Sequence, residues 1–308
     1  MGSQLIREWT GIQRFPLATQ SKLLDSLGIL KNQSVSSLTI LVVGKGGVGK
    51  SSTVNSILGE RALPVGAFQS ETQRPVMVSR STAGFTLNVV DTPGLVEGGY
   101  VNGRMVETIK SRFLLNKTVD ILLYVDRLDT YRVDSLDKQV VQAITESFGK
   151  DIWKRALVVL THAQLLPPDG LEYDVFSSKR SEALLKVVRS GARIKKQDAW
   201  ASGIPVALVE NGGICNKNDN DEQVLPSGIA WISNVVRNIV DVALNGNKGI
   251  LVDKKLVEGA NPDRRWKEFI PFIFAFQYFL VVKPIERAIK KDMEMEVRPS
   301  WDATRRGF

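Results

Sequence analysis

The hydrophobic positions of this chain fall into two kinds of run. Residues 38–43 (LTILVV), 76–80 (VMVSR), 85–90 (FTLNVV), 121–125 (ILLYV), 156–160 (ALVVL) and 205–209 (PVALV) are short and mostly apolar without a break. Continuous runs of this length, rich in Val, Ile and Leu, predict strands covered on both faces of a largely parallel sheet. Between them the apolar positions recur at helical spacing, over residues 51–58, 103–115, 135–148, 177–188 and 229–244. Leu23, Leu24, Leu27 and Leu30 give residues 17–31 the same period ahead of the first strand. Strand and helix therefore alternate, which predicts a doubly wound α/β domain over residues 37–245 behind a helical extension at 1–36. Gly, Asn and charge dominate the stretch after it, so residues 246–265 read as a linker.

The pattern changes once more near the far end. Residues 269–282 (FIPFIFAFQYFLVV) carry no charge, and five of the fourteen are Phe. As a helix they reach about 21 Å, short of the ~30 Å hydrocarbon core of a bilayer. The run has no polar face, however, and Trp266 and Tyr278 are interfacial aromatics. Lys267 and Lys283 at its flanks can snorkel and extend the span. The expectation is one C-terminal transmembrane helix at 266–284, inserted after translation, with a short tail at 285–308. The N-terminus, MGSQLIREW, lacks the apolar core of a secretory signal, and Ile6 stands where a myristoylation motif wants Ser or Thr.

Composition narrows the class further. One cysteine, Cys215, and one histidine, His162, among 308 residues argue against disulfides and Cys/His zinc sites and favour a reducing compartment. The net charge of +8 is spread along the chain, with ten basic and seven acidic residues in the last 48. No dense basic stripe precedes residue 260, so a nucleic-acid partner is not expected.

The candidate chemistry starts where the first strand ends. Gly44-Lys45-Gly46-Gly47-Val48-Gly49-Lys50-Ser51 matches G-x-x-x-x-G-K-[ST] with a strand before it and a helix after. Such a loop curls its backbone N–H groups around phosphates at a helix N-terminus. Lys50 then reaches the β- and γ-phosphates and the Ser51 hydroxyl ligates Mg²⁺. Asp91-Thr92-Pro93-Gly94 follows the third strand, where Asp91 can hold Mg²⁺ through water and the Gly94 amide can sense the γ-phosphate. Leu95 stands where some GTPases carry a water-positioning Gln, so intrinsic hydrolysis is expected to be slow. Guanine needs an acceptor for its N1–H and N2–H₂, and the common Asn-Lys-x-Asp is missing. Thr161-His162-Ala163-Gln164 and Glu210-Asn211, at the ends of the last two strands, stand in its place. The Glu210 carboxylate can accept from both donors, and His162 can stack on the base. This favours guanine over adenine, and a P-loop kinase using ATP is the weakest alternative.

GKGGVGKSSTVNSILGE, DTPGLVEGGY, LLYVDRLDTYRVD, LTHAQ and VENGGICNKNDNDEQVLPSGIAWI together resemble the Toc GTPases, closest to the smaller class of about 34 kDa. The resemblance runs from Arg7 to the proposed anchor. It implies a septin-like P-loop GTPase on the chloroplast outer envelope, tail-anchored, with its GTPase domain in the cytosol. It implies a receptor for transit peptides of imported preproteins, working with a larger homologous GTPase and a β-barrel channel. Carried onto this sequence, GTP or GDP contacts fall on Gly46, Gly47, Val48, Gly49, Lys50, Ser51 and Ser52, with His162, Glu210 and Asn211 at the base. The second Mg²⁺ neighbour is Gln69 by resemblance, or Thr72 by chemistry. The family homodimerises across the nucleotide face, which implies an interface at Gly66, Ala67, Phe68, Gln69, Arg127, Tyr131 and Arg132. Arg132 matches the arginine that enters the partner's site, either as a catalytic group or as a contact. Two other readings stay open: a GTP-controlled assembly scaffold, and a soluble immune-type septin-like GTPase in which residues 269–282 pack within the domain.

Overall fold

A computed structural model describes residues 6–65, 74–97, 100–101, 103–195, 198, 200, 203–245, 249–252, 257 and 282–296. The chain divides into two compact units, residues 1–257 and 258–308. The first is built on a seven-stranded sheet of β1 (Arg7–Glu8), β2 (Ser37–Gly44), β3 (Val76–Thr82), β4 (Phe85–Asp91), β5 (Ile121–Arg127), β6 (Ala156–Thr161) and β7 (Val206–Leu208), in the order β1-β3-β4-β2-β5-β6-β7. All neighbours are parallel except β3 and β4, which form an antiparallel hairpin. The hairpin turn is Ala83-Gly84, both at positive φ, as a tight two-residue turn requires. The central strands β2, β5 and β6 are buried along almost their whole length, which is why their sequences do not alternate.

Among the described residues six α-helices flank the sheet: α1 (Leu17–Asn32), α2 (Lys50–Leu58), α3 (Gly103–Thr108), α4 (Ser135–Phe148), α5 (Tyr173–Gly191) and α6 (Trp231–Asn245). Helix α6 packs on both α1 and α2, and α4 packs on both α3 and α5, giving the two layers of a doubly wound fold. Of the leucines that mark α1, Leu23, Leu27 and Leu30 are buried, while Leu24 lies one helical step round and faces solvent.

The structure adds to the expected plan in three places. The N-terminal extension is integral to the first unit, because Trp9, Ile12 and Phe15 join the core and the Trp9 indole donates to Leu58 O at 2.9 Å. Gly11 permits this approach, since a Cβ there would lie 2.0 Å from the same carbonyl. The helix expected over 103–115 is α-helical only to Thr108 and continues as a π-turn over Ile109–Leu114. Part of the expected linker also packs on the domain. Ile250–Leu251 pairs antiparallel with Thr118–Val119, and Val252 is fully buried.

The apolar run at 269–282 lies outside the described residues except for Val282. Among the described residues no helix is long and apolar enough to cross a membrane. The second unit contributes a helix, Lys283–Glu296, with Ile285, Ile289 and Met293 exposed along one face.

Candidate functional site

The parallel strands end on one edge, and the loops that leave β2, β4, β5, β6 and β7 carry the candidate residues there. Strand β2 gives way to the phosphate loop at Gly44. A Cβ at Gly44 would meet Val125 O at 2.2 Å, so only glycine lets the loop pass this close to β5. Gly49 sits at φ 90° as the N-cap of α2 and turns the chain into the helix. The loop is tied to its neighbours by single bonds: Leu95 N–H donates to Gly44 O at 3.0 Å and Thr161 Oγ1 donates to Val48 O at 2.7 Å. Gly46, Gly47, Val48, Gly49, Lys50, Ser51 and Ser52 thus form one curl at the start of α2, with the helix dipole behind it.

Lys50 is buried, and its ammonium donates to Lys45 O across the loop at 2.7 Å. The Ser51 hydroxyl donates to Asp91 Oδ2 at 2.5 Å, although the two are forty residues apart in sequence. A hydroxyl and a carboxylate at that separation are hard oxygen donors. They suit Mg²⁺, which takes one or two protein ligands and completes its shell with water and phosphate oxygens. Asp91 through Leu95 are buried in a turn whose Thr92 Oγ1 donates to Val42 O at 2.7 Å. Leu95 is wholly buried there and offers no polar group to an attacking water. Gln69 and Thr72, together with Gly66, Ala67 and Phe68, lie outside the described residues.

At the base end, the Glu210 carboxylate is buried and fixed by two backbone donors. Gln164 N–H reaches Oε2 at 3.0 Å and Gly212 N–H reaches Oε1 at 2.7 Å. Each oxygen keeps a further lone pair, so the group can accept the paired donors of a guanine edge. His162 follows β6 in the left-handed region at φ 56°, half-buried, with Nδ1 2.9 Å from Thr161 Oγ1. That bond orients the ring and leaves Nε2 for other contacts. Asn211, expected at the base, is tied to the helix after the phosphate loop. Its amide donates to Thr53 Oγ1 at 3.0 Å and accepts from Ser56 Oγ at 2.9 Å, so the side chain fastens the base loop to α2. Thr53 and Ser56 stand three residues apart and share a helix face, the one sequence signal for this contact. A cleft of about 790 Å³ borders the site at Ser52, Glu210 and Asn211 and extends to Lys217 and Trp231. Nearby Cys215 is half-buried; desolvation and the Glu210 charge push its thiol up to about 11.

The segment after β5 carries the residues expected at a dimer face. Arg127 and Asp129 form a two-bonded pair, Nε–Oδ1 at 2.8 Å and Nη2–Oδ2 at 2.6 Å, which draws the Asp129 carboxyl below its ordinary range. The Tyr131 ring is exposed and meets Phe176 edge to face at 5.6 Å between centroids. Arg132 is exposed and makes no ion pair among the described residues. Asp126, at the start of this segment, is buried and bonded inward to Arg180 and Lys45, so the exposed face begins beyond it. The inward network of Lys45, Asp126, Asp137 and Arg180 is the feature sequence reasoning missed.

Comparison with known proteins gives the family. The family model described as "AIG1 family" matches residues 38–201. Translocase of chloroplast 34 of Pisum sativum is 64% identical over 299 residues, 97% of this chain and 96% of the relative. The crystal structure of Toc33 from Arabidopsis thaliana in complex with GDP and Mg²⁺ is 59% identical, with TM-score 0.76 over 80% of this chain and all of that one. A further structure, on the theme that dimerization is important for the GTPase activity of chloroplast translocon components atToc33 and psToc159, gives TM-score 0.77 at 59% identity. It covers 80% of this chain and 99% of that one. Matched by that family model over more than half its length and 64% identical to the Pisum sativum relative along nearly all of it, this chain belongs to the AIG1 family and, within it, to the Toc GTPases of the smaller, 34-kDa class.

Proposed function

We propose that this protein is a GTP-binding and GTP-hydrolysing receptor of the chloroplast outer-envelope import machinery, recognising the transit peptides of nuclear-encoded preproteins. The observation that carries the reading is the meeting of Lys50, the Ser51–Asp91 pair and the Glu210 carboxylate on one sheet edge, in a chain 64% identical to a chloroplast translocase along nearly its whole length. The loop N–H groups and Lys50 bind the phosphates. Ser51, and Asp91 through water, hold Mg²⁺, which when bound neutralises charge developing on the γ-phosphate. Glu210 selects guanine and His162 lies against the base. Gln69 or Thr72 adds a second protein contact to Mg²⁺, and the change from GTP to GDP resets affinity for the transit peptide. With Leu95 buried at the attacking side, one protomer hydrolyses GTP slowly. A second copy supplies Arg132 across the nucleotide face, and a larger homologous GTPase can take that copy's place. Residues 266–284 anchor the chain in the membrane beside a β-barrel channel, with the GTPase domain facing the cytosol.

The deciding experiment measures binding of a fluorescent transit peptide to the full chain in detergent, loaded with Mg²⁺ and either GDP or a non-hydrolysable GTP analogue. The expected result is at least about fivefold tighter binding in the GTP state, a differential of about 1 kcal/mol. Lys50→Ala should abolish the difference, and excess ATP should not displace the analogue. Equal affinity in both states, with dimerisation still nucleotide-dependent, favours the scaffold reading instead.

A further inference from the structure

Lys45 opens the phosphate loop, yet its side chain runs to the loop that follows β5. Its ammonium lies 2.5 Å from Asp137 Oδ1 and 3.5 Å from Asp126 Oδ1. Asp126 ends the buried part of β5, and Arg180 of α5 donates to its Oδ2 at 2.7 Å and to Arg127 O at 3.2 Å. Asp137 sits in the first turn of α4 and completes a capping box. It accepts from Asp134 N–H at 2.9 Å while Asp134 accepts from Asp137 N–H at 3.0 Å. Asp126, Asp137 and Arg180 are each almost wholly buried. Two cations and two carboxylates therefore form an interior cluster with no net charge, and each member depends on the others to stay charged away from water. Burial works against the Lys45 charge, but Asp126, Asp137 and Asp134 outweigh it and hold the ammonium above its ordinary pKa.

One amine thus grips both ends of the loop that displays Tyr131 and Arg132. The loop interior is braced by the Arg127–Asp129 pair and by the Tyr131–Phe176 contact, neither of which reaches the phosphate loop. We propose that Lys45 is a positioning residue for Arg132: it locks the arginine loop to the phosphate loop of its own protomer, so that Arg132 is presented to a second copy in a fixed register. This rests on the reading of Arg132 as the residue that enters the partner's nucleotide site. Without the Lys45 ammonium, Asp126 keeps Arg180 but Asp137 loses its cation, and the two carboxylates repel each other across the two loop ends. The loop then loses its register while the phosphate-loop backbone keeps its N–H groups.

The test is a double-mutant cycle on full-length protein in detergent, using Lys45→Met, Arg132→Ala and both together. Dimer dissociation constants in the GTP-analogue state are read beside GDP affinity at monomeric concentration. Lys45→Met is expected to weaken the dimer by about tenfold or more and to change monomer GDP affinity by less than about threefold. Adding Lys45→Met to Arg132→Ala is expected to cost nothing further, because the lysine acts through the arginine. Lys45→Arg should restore the dimer. If Lys45→Met fails to fold, Asp137→Asn keeps the helix-cap acceptor and removes the charge, and should give the same pattern. Additive losses in the double variant, or a fall in monomer GDP affinity as large as that of the dimer, overturn the proposal. If Arg132→Ala alone leaves the dimer intact, the reading of the dimer face fails first, and the proposal with it.

Discussion

Glu210 is a buried side chain whose proposed selectivity for guanine rests on where the backbone fixes it. Its two oxygens are already held by Gln164 and Gly212 N–H groups, so its position is set before any base arrives. Glu210→Gln replaces one acceptor by an NH₂ that faces either a backbone donor or a guanine donor, and no acceptor meets it in either orientation. GTP affinity measured by calorimetry should fall about 10- to 100-fold, with little gain for ATP. An unchanged affinity would remove Glu210 from the base site. Single residues were legible in the sequence where a backbone rule forced them: Gly44 and Gly49 are needed for close approach and positive φ, and Lys50-Ser51 follow from the helix start. Asn211 was not legible in the same way. Its amide reaches Thr53 and Ser56 through the packing of the 210–212 turn on α2, and the spacing of those two residues marks a shared helix face without saying what meets it.

At the level of elements, the strands with continuous apolar runs and the helices with a clear period appear where the pattern puts them. The hydrophobic code is redundant over six or more residues. What it misses is short or held by other forces. The two residues of β1 carry no pattern and are placed by the burial of Trp9, and the π-turn at Ile109–Leu114 keeps helical spacing. The tie between α1 and α6 is also invisible in the pattern, because it is polar. Glu222, in the turn between the short antiparallel strands Asn216–Lys217 and Gln223–Val224, is buried and accepts from Thr19 Oγ1 at 3.0 Å, Lys22 Nζ at 2.9 Å, Asn218 Nδ2 at 3.2 Å and Ser233 Oγ at 3.1 Å. Burial alone would raise its pKa, but these donors outweigh it and hold the carboxyl below its ordinary value of 4.5. A depressed folded pKa gives stability that is present above the unfolded value and is lost as pH falls through the folded one. Glu222→Gln should therefore cost about 1–3 kcal/mol at neutral pH. It should also flatten the decline in melting temperature below pH 4.5, and an acid limb parallel to that of the parent would show that Glu222 is not its source.

For the whole molecule, the separation of labour between the two units is the question the chain poses most sharply. The first unit holds every candidate site residue the structure describes, and it also takes in the N-terminal segment that the sequence had set apart and the Ile250–Leu251 ribbon that it had assigned to a linker. Composition marks a linker by glycine and charge, but a two-residue ribbon with one buried valine is enough to hold such a stretch on a domain. The uncharged run at 269–282 falls in the second unit, and a run of five phenylalanines without a polar face has no reason to persist in water. Two chains separate these roles. A version ending at Val257 should bind GTP with Mg²⁺ within about threefold of the full chain and stay in the supernatant with liposomes. The full chain should sediment with the same vesicles and resist alkaline extraction, as a spanning segment does and a surface-bound one does not. If the shorter chain sediments as well, the membrane contact lies in the GTPase domain. If the full chain washes off at alkaline pH, residues 266–284 do not span. Only the second result removes the anchor, and both leave the nucleotide site intact.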